Sequence, residues 1–188
     1  MAKPKKKTTT AKKKKWISIL APNNWGILGE TYVDDPQKVV GKCLNVNLMN
    51  LINDPKKRRY NVSFRVDSCD GNEAKSSVYG YKISPNAVKT MIKKRRDRID
   101  HRIVTQTKDE KVVILKPLII TRGNTNHATH TAIRAKVDEL LTATVNESDF
   151  DALILSAIQM KIQRDLKKEL GKIHPIGTCE LRVVTLKQ

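Results

Sequence analysis

Apolar residues recur along this chain at two different spacings, and the change from one to the other divides it. From Trp16 the spacing is two: Trp16 to Leu20, Gly29 to Val33, then Leu44, Val46 and Leu48 alternate with polar neighbours, as half-buried strands do. Tyr60, Val62, Phe64 and Val66 repeat the pattern, with Asn61, Ser63, Arg65 and Asp67 facing the other way. Asp70-Gly71 then turns the chain into a return strand through Val78 and Ile83, which reads as a hairpin. Ser84-Pro85 suits a helix cap and first position, and the stripe Val88, Met91 and Ile92 predicts a helix of about three turns. Ile99, His101, Ile103 and Thr105 alternate again, a turn near Lys108 to Glu110 follows, and the β-branched run Val112 to Thr121 completes a second hairpin.

Beyond it the period lengthens. Ile133, Val137, Leu140 and Leu141 mark one face of an amphipathic helix. A longer helix is expected next, with Ser148 and Asp151 as its capping box and Phe150, Leu153, Ile154, Ala157, Ile158, Ile162 and Leu166 as its stripe. Gly171 and Pro175 stop it, and Thr178 to Leu186 closes the chain as a strand. The expected fold class is α+β, with a β-rich part over residues 16–125 and a helical/β part over 126–188 in a single domain. No internal repeat is visible.

Residues 1–15 fit neither period: they hold eight lysines and no acid, and read as a disordered basic arm. Of the formal charge of +18 this arm supplies +8, so the remainder is itself strongly basic. The hydrophobic share of 39 % and charged share of 30 % are those of a globular chain. The longest apolar run is broken by Lys116 and Pro117, far short of the roughly 20 residues that cross a bilayer. Thr8, Thr9 and Thr10 between the lysines deny the arm both a secretory signal and a lipid-binding face, so no membrane partner is expected and the chain is placed in the cytoplasm. Cys43, Cys69 and Cys179 form no CxxC pair and agree with a reducing compartment.

The positive charge is clustered. From Lys89 to Arg102 lie Lys89, Lys93, Lys94, Arg95, Arg96, Arg98 and Arg102 against only Asp97 and Asp100. On the expected helix Lys89, Lys93 and Arg96 would share a face. Lys56, Lys57, Arg58 and Arg59 precede a strand, and Lys116, Arg122 and Arg134 fall in a stretch from Lys111 to Val137 that has no acid. With Lys12, Lys13, Lys14, Lys15 and Trp16 of the arm and its edge, these make up the candidate RNA-binding set. Cations of this kind release the counterions of a phosphate backbone, and arginine adds bidentate geometry. The polar stretch Thr121 to Thr131 adds groups for sugar and phosphate oxygens. The same residues also read as a solvated helix face and a plain surface loop. With eight aromatics and no aromatic run on a strand, backbone and shape recognition is favoured over base stacking. Trp16 and Trp25 are expected to plug the core, with stacking of Trp16 on a base as the alternative.

An enzyme needs a constellation, and none is found: no GxxxxGK[ST], GxSxG, HExxH or GxGxxG. No catalytic residue, cofactor, metal or small-molecule substrate is therefore expected. His127 and His130 have no nearby Cys or acid to complete a metal site, and His101 and His174 are solitary. The pairs Asp34-Asp35 and Asp67 with Asp70 have the chemistry to hold Mg²⁺ but sit beside turn residues, where Asp commonly bonds the backbone. A metal-dependent nuclease or nucleic-acid-modifying enzyme using Asp67 and Asp70 stays open as an alternative, as does a free nucleic-acid chaperone.

The order of several short motifs is more specific than any one of them. Trp16-Ile17-Ser18-Ile19-Leu20-Ala21-Pro22, Gly29-Glu30-Thr31, Lys93-Lys94-Arg95-Arg96 running into Ile99-Asp100, Thr107-Lys108-Asp109 with Lys116-Pro117, and Lys172-Ile173-His174-Pro175-Ile176 leading into Glu180-Leu181-Arg182 together resemble the small-subunit ribosomal protein S one-e family, also called S three-A-e, of archaea and eukaryotes. The chain departs from the family pattern at Glu110, at His174 and at Gly177, Thr178 and Cys179. Without the C-terminal extension of eukaryotic members it looks archaeal. The resemblance implies a structural ribosomal protein with a β-barrel-like part and an α/β part, on the platform of the small subunit near the 3′ end of its rRNA and the mRNA exit channel. The implied partners are small-subunit rRNA, neighbouring ribosomal proteins and mRNA near the exit channel.

Overall fold

The computed structural model of the protein describes residues 13–22 and 25–187. It is α+β, as the periodicities predict. The strands are β1 (Lys15–Leu20), β2 (Ile27–Val33), β3 (Cys43–Asn47), β4 (Tyr60–Asp70), β5 (Glu73–Ile83), β6 (Arg98–Asp100), β7 (Ile103–Gln106), β8 (Val112–Thr121) and β9 (Ile176–Leu186). The helices are α1 (Leu48–Ile52), α2 (Pro85–Met91), α3 (His127–Glu147), α4 (Phe150–Ile158) and α5 (Lys161–Leu170). Contacts sort the described residues into two compact units, one up to Cys43 with Arg65–Ser77, the other Leu44–Phe64 with Val78 onward.

In the first unit β1 pairs antiparallel with β2, Trp16 opposite Tyr32 and Ser18 opposite Glu30, and parallel with the start of β5. The period of two works as expected: Ile17, Ile19, Val33, Val66 and Ala74 are buried. Trp16, expected in the core, instead stands 62 % exposed, because the alternation that buries Ile17 and Ile19 turns it outward.

In the second unit β8 is central, pairing with β6, β7 and, along its length, β9. Its Val113, Leu115, Leu118, Ile119 and Ile120 are all buried. Pro117 has no N–H for the ladder, and the register shifts between Lys116 and Pro117. β9 pairs on its other side with β5, where Gly80 lies opposite Thr185 so closely that a Cβ there would meet Val184 O at 2.8 Å. Ile133, Val137, Leu141 and Val145 of α3 are buried one turn apart.

Five sequence expectations change. Leu48 begins α1 rather than ending a strand, since Asn47 caps it by accepting a hydrogen bond from Met49 N at 2.9 Å. The helix after Ser84 stops at Met91, so Lys93 to Arg96 form a turn, with Arg95 at φ 60°, and share no helix face with Lys89. The chain there is drawn into β6, where Asp97 N donates to Thr121 Oγ1 at 2.9 Å, and extending the helix would stack like charges four apart. The Ile99 to Thr105 alternation splits into β6 and β7, both on β8. The long C-terminal helix breaks at Met160 (φ 62°) into α4 and α5. Lys57 Nζ donates to Ile158 O at 2.7 Å and Gln163 Nε2 to Ala157 O at 3.0 Å, so the last carbonyls of α4 are satisfied from outside its own ladder. Ser148 does not cap the helix that follows: Asp149 holds the N-cap position, and the Ser148 hydroxyl donates back to Thr144 O at the end of α3.

Candidate nucleic-acid interface

The register of three strands in the second unit builds a row. Val183 of β9 lies opposite Lys82 of β5 on one side and Lys116 of β8 on the other, so the two lysines flank one sheet face. Lys89 from the last turn of α2, Arg98 from β6 and Arg182 from β9 join them around a cleft of about 720 Å³, whose remaining polar lining is Asn45, Asn61, Ser63 and Thr185. Asp100 pairs with Arg98 and stands 3.6 Å from Arg182, which offsets part of the arginine charge. Among the described residues no acid stands within ion-pair distance of Lys82, Lys89 or Lys116. A cleft edged by unpaired lysines and floored by amides and hydroxyls is suited to phosphate and sugar oxygens.

A second basic surface is stitched together by an acid. The Asp97 carboxylate accepts from Thr125 N at 2.6 Å and from Thr125 Oγ1 at 2.8 Å, and His130 Nε2 stands 3.3 Å from the same oxygen. These bonds, the Thr125 hydroxyl foremost, hold its carboxyl below the ordinary value. Thr121 Oγ1 in turn donates to Gly123 O at 2.6 Å. The Lys93 to Arg96 turn and the Arg122 to Asn126 loop, separate clusters in the sequence, are thereby tied side by side. Lys93, Lys94, Arg95 and Arg122 are exposed and Arg96 half-buried, with Arg134 half-buried on α3 and Arg102 exposed between β6 and β7.

The remaining candidates behave differently from one another. Lys56, Arg58 and Arg59 are exposed beside a second cleft whose other lining includes Tyr60, Ser84, Asn86 and Thr90. Lys57 does not join them, since it is committed to Ile158 O. Lys13, Lys14 and Lys15 are exposed at the start of β1, whereas Lys12 lies outside the described residues. Lys82, Arg182, Asn45 and Asn61 were not singled out by sequence. Their only signal was an outward position on a strand, and without the register nothing linked Lys82 to Lys116.

Other chemistry is occupied structurally. Asp67 accepts from Ser77 Oγ at 3.1 Å and Asp70 faces Lys75 at 3.6 Å, and among the described residues no three candidate ligands gather for a metal. His101 Nε2 meets Asp138 at 2.7 Å. Beneath the Arg59 end of the second cleft, Tyr60 donates to Glu180 Oε1 at 3.4 Å and stacks on Tyr81 at 5.6 Å between centroids. Burial raises the Glu180 carboxyl above its ordinary value, opposed by the Tyr60 hydrogen bond and by Arg59, Lys57 and Lys167. Cys179 is buried and its thiol pushed up to about 12 by desolvation. No helix among the described residues is long and apolar enough to cross a membrane.

Known proteins agree with the order of motifs. The chain is 30 % identical over 174 residues to the small ribosomal subunit protein eS1 of Methanobrevibacter smithii, covering 92 % of this chain and 90 % of that protein. It is 31 % identical over 177 residues to eS1 of Methanopyrus kandleri (91 % and 84 %), and 26 % identical over 179 residues to eS1 of Methanoculleus marisnigri (94 % and 91 %). Residues 2–188 match the family described as the Ribosomal S3Ae family, the one the sequence resembles, and the chain belongs to that family.

Proposed function

We propose that this protein is a non-enzymatic structural component of the small ribosomal subunit that holds rRNA through two surfaces: the Lys82, Lys89, Lys116 cleft with Arg98 and Arg182, and the Lys93–Arg96 turn with the Arg122 loop. The convergence carries the reading. Five cations from β5, α2, β6, β8 and β9, spread over a hundred residues of sequence, line one cleft. The lysine arm and Lys56, Arg58 and Arg59 add contacts to the same polyanion. In this reading the protein lies on the platform near the 3′ end of the rRNA and the mRNA exit channel, among neighbouring ribosomal proteins and within reach of mRNA. Family membership supports the small subunit; the finer position rests on the resemblance.

Sedimentation of a gentle lysate tests it. The protein is expected to travel with small subunits and to leave them only at high salt, since phosphate contacts weaken steeply with ionic strength. Migration as a free protein at low salt would overturn the assignment and favour a chaperone acting outside the ribosome.

A further inference from the structure

Two of the eight aromatic residues are placed where packing has no use for them. Trp16 of β1 and Tyr32 of β2 are direct cross-strand partners, with ring centroids 4.9 Å apart and planes inclined by 38°. They stand 62 % and 52 % exposed, on the face opposite the one that buries Ile17, Ile19 and Val33. The next pair along this face, Ser18 and Glu30, is polar, so the apolar area at this end is little more than the two rings. That is small beside the roughly 800 Å² per partner of a standard protein interface. On the side away from Glu30 it is bordered by cations. Lys14 Nζ lies 5.8 Å from the Tyr32 ring centroid and Lys13 before it is exposed, whereas Lys15, opposite Val33, falls on the other face of the strand. Exposed aromatic faces with ammonium groups at their edge are the arrangement on which unpaired bases stack while their phosphates are neutralised.

We propose that Trp16 and Tyr32 form a stacking surface for unpaired RNA bases, with Lys13 and Lys14 on the adjoining phosphates. The inference rests on the reading that RNA is the partner, and adds that one contact is to single-stranded RNA and made through bases. Stacking and charge separate experimentally, because removing a ring lowers affinity without changing the number of phosphate contacts.

The test titrates the full chain with an unstructured oligoadenosine 12-mer carrying 2-aminopurine and with an RNA duplex of equal length, across a range of salt. Trp16→Ala and Tyr32→Ala are each expected to weaken single-strand binding about tenfold, with the salt slope and the duplex affinity unchanged. Trp16→Phe, which keeps a π face, should retain most of the affinity and of the aminopurine quenching. Both side chains are largely exposed, and circular dichroism checks that the variants stay folded. Unchanged single-strand affinity in both alanine variants would overturn the stacking surface while leaving RNA binding intact, and would assign the rings to a protein neighbour. Equal losses on both RNAs with a shallower slope would also overturn it, as would failure of the native chain to bind the single strand. Failure on the duplex as well would remove the rRNA-binding reading too.

Discussion

Glu180 and Lys57 show how single side chains near the basic surface divide between stability and binding. Because burial holds the Glu180 carboxyl above its ordinary value, the folded state binds its proton more tightly than the unfolded chain does. Its contribution to stability is therefore present at low pH and lost as pH rises through the raised value. Glu180→Gln is expected to melt at a higher temperature than the native chain at neutral pH, with the gap closing toward about pH 4; a gap independent of pH would contradict this. Lys57 belongs to a run of four cations that the sequence presents as equivalent, yet its ammonium sits on the last turn of α4, 101 residues away. Lys57→Ala is expected to cost roughly 0.5–1 kcal/mol in urea unfolding and to leave the salt dependence of RNA binding unchanged. Alanine at Lys56, Arg58 or Arg59 should do the reverse. The cluster was legible in the sequence, but the exception was not, since nothing local to Lys57 names its partner.

Elements whose limits depend on their own residues were legible, and those limited by distant contacts were not. β4 follows from alternation, β5 from the Asp70-Gly71 turn before it, β8 from its β-branched run, and the α3 stripe from its period. The end of α2 at Met91 and the break at Met160 go with contacts made far along the chain, Asp97 with Thr121 at a separation of 24 residues and Ile158 with Lys57 at 101. The consequence at Asp97 is specific. Its carboxylate binds the Thr125 backbone and hydroxyl, so it organises the basic turn and the Arg122 loop rather than diluting their charge. Asp97→Ala makes the chain more positive, and charge alone would strengthen RNA binding. The expected result is weaker binding together with faster amide hydrogen exchange at Thr125. Stronger binding with unchanged exchange would show that Asp97 is no more than a screening acid.

For the whole molecule, the charge of +18 indicates a polyanionic partner, and the order of motifs indicates the family. Neither locates the cleft. Lys82 and Lys116 become neighbours only through Val183, and that register is a property of the assembled sheet. The sequence also assigned Lys89, Lys93 and Arg96 to one helix face, whereas the fold gives Lys89 to the cleft and the other two to a separate turn. The measurement closest to the central claim is the salt dependence of full-chain binding to small-subunit rRNA, comparing the native protein with the combined variant Lys82→Ala, Lys89→Ala and Lys116→Ala. The log–log slope is expected to become shallower by roughly 0.7–0.9 for each phosphate contact removed, with the melting temperature little changed because these lysines have no ion-pair partners among the described residues. A variant that binds with the native slope and affinity would contradict the account and take the cleft out of the interface.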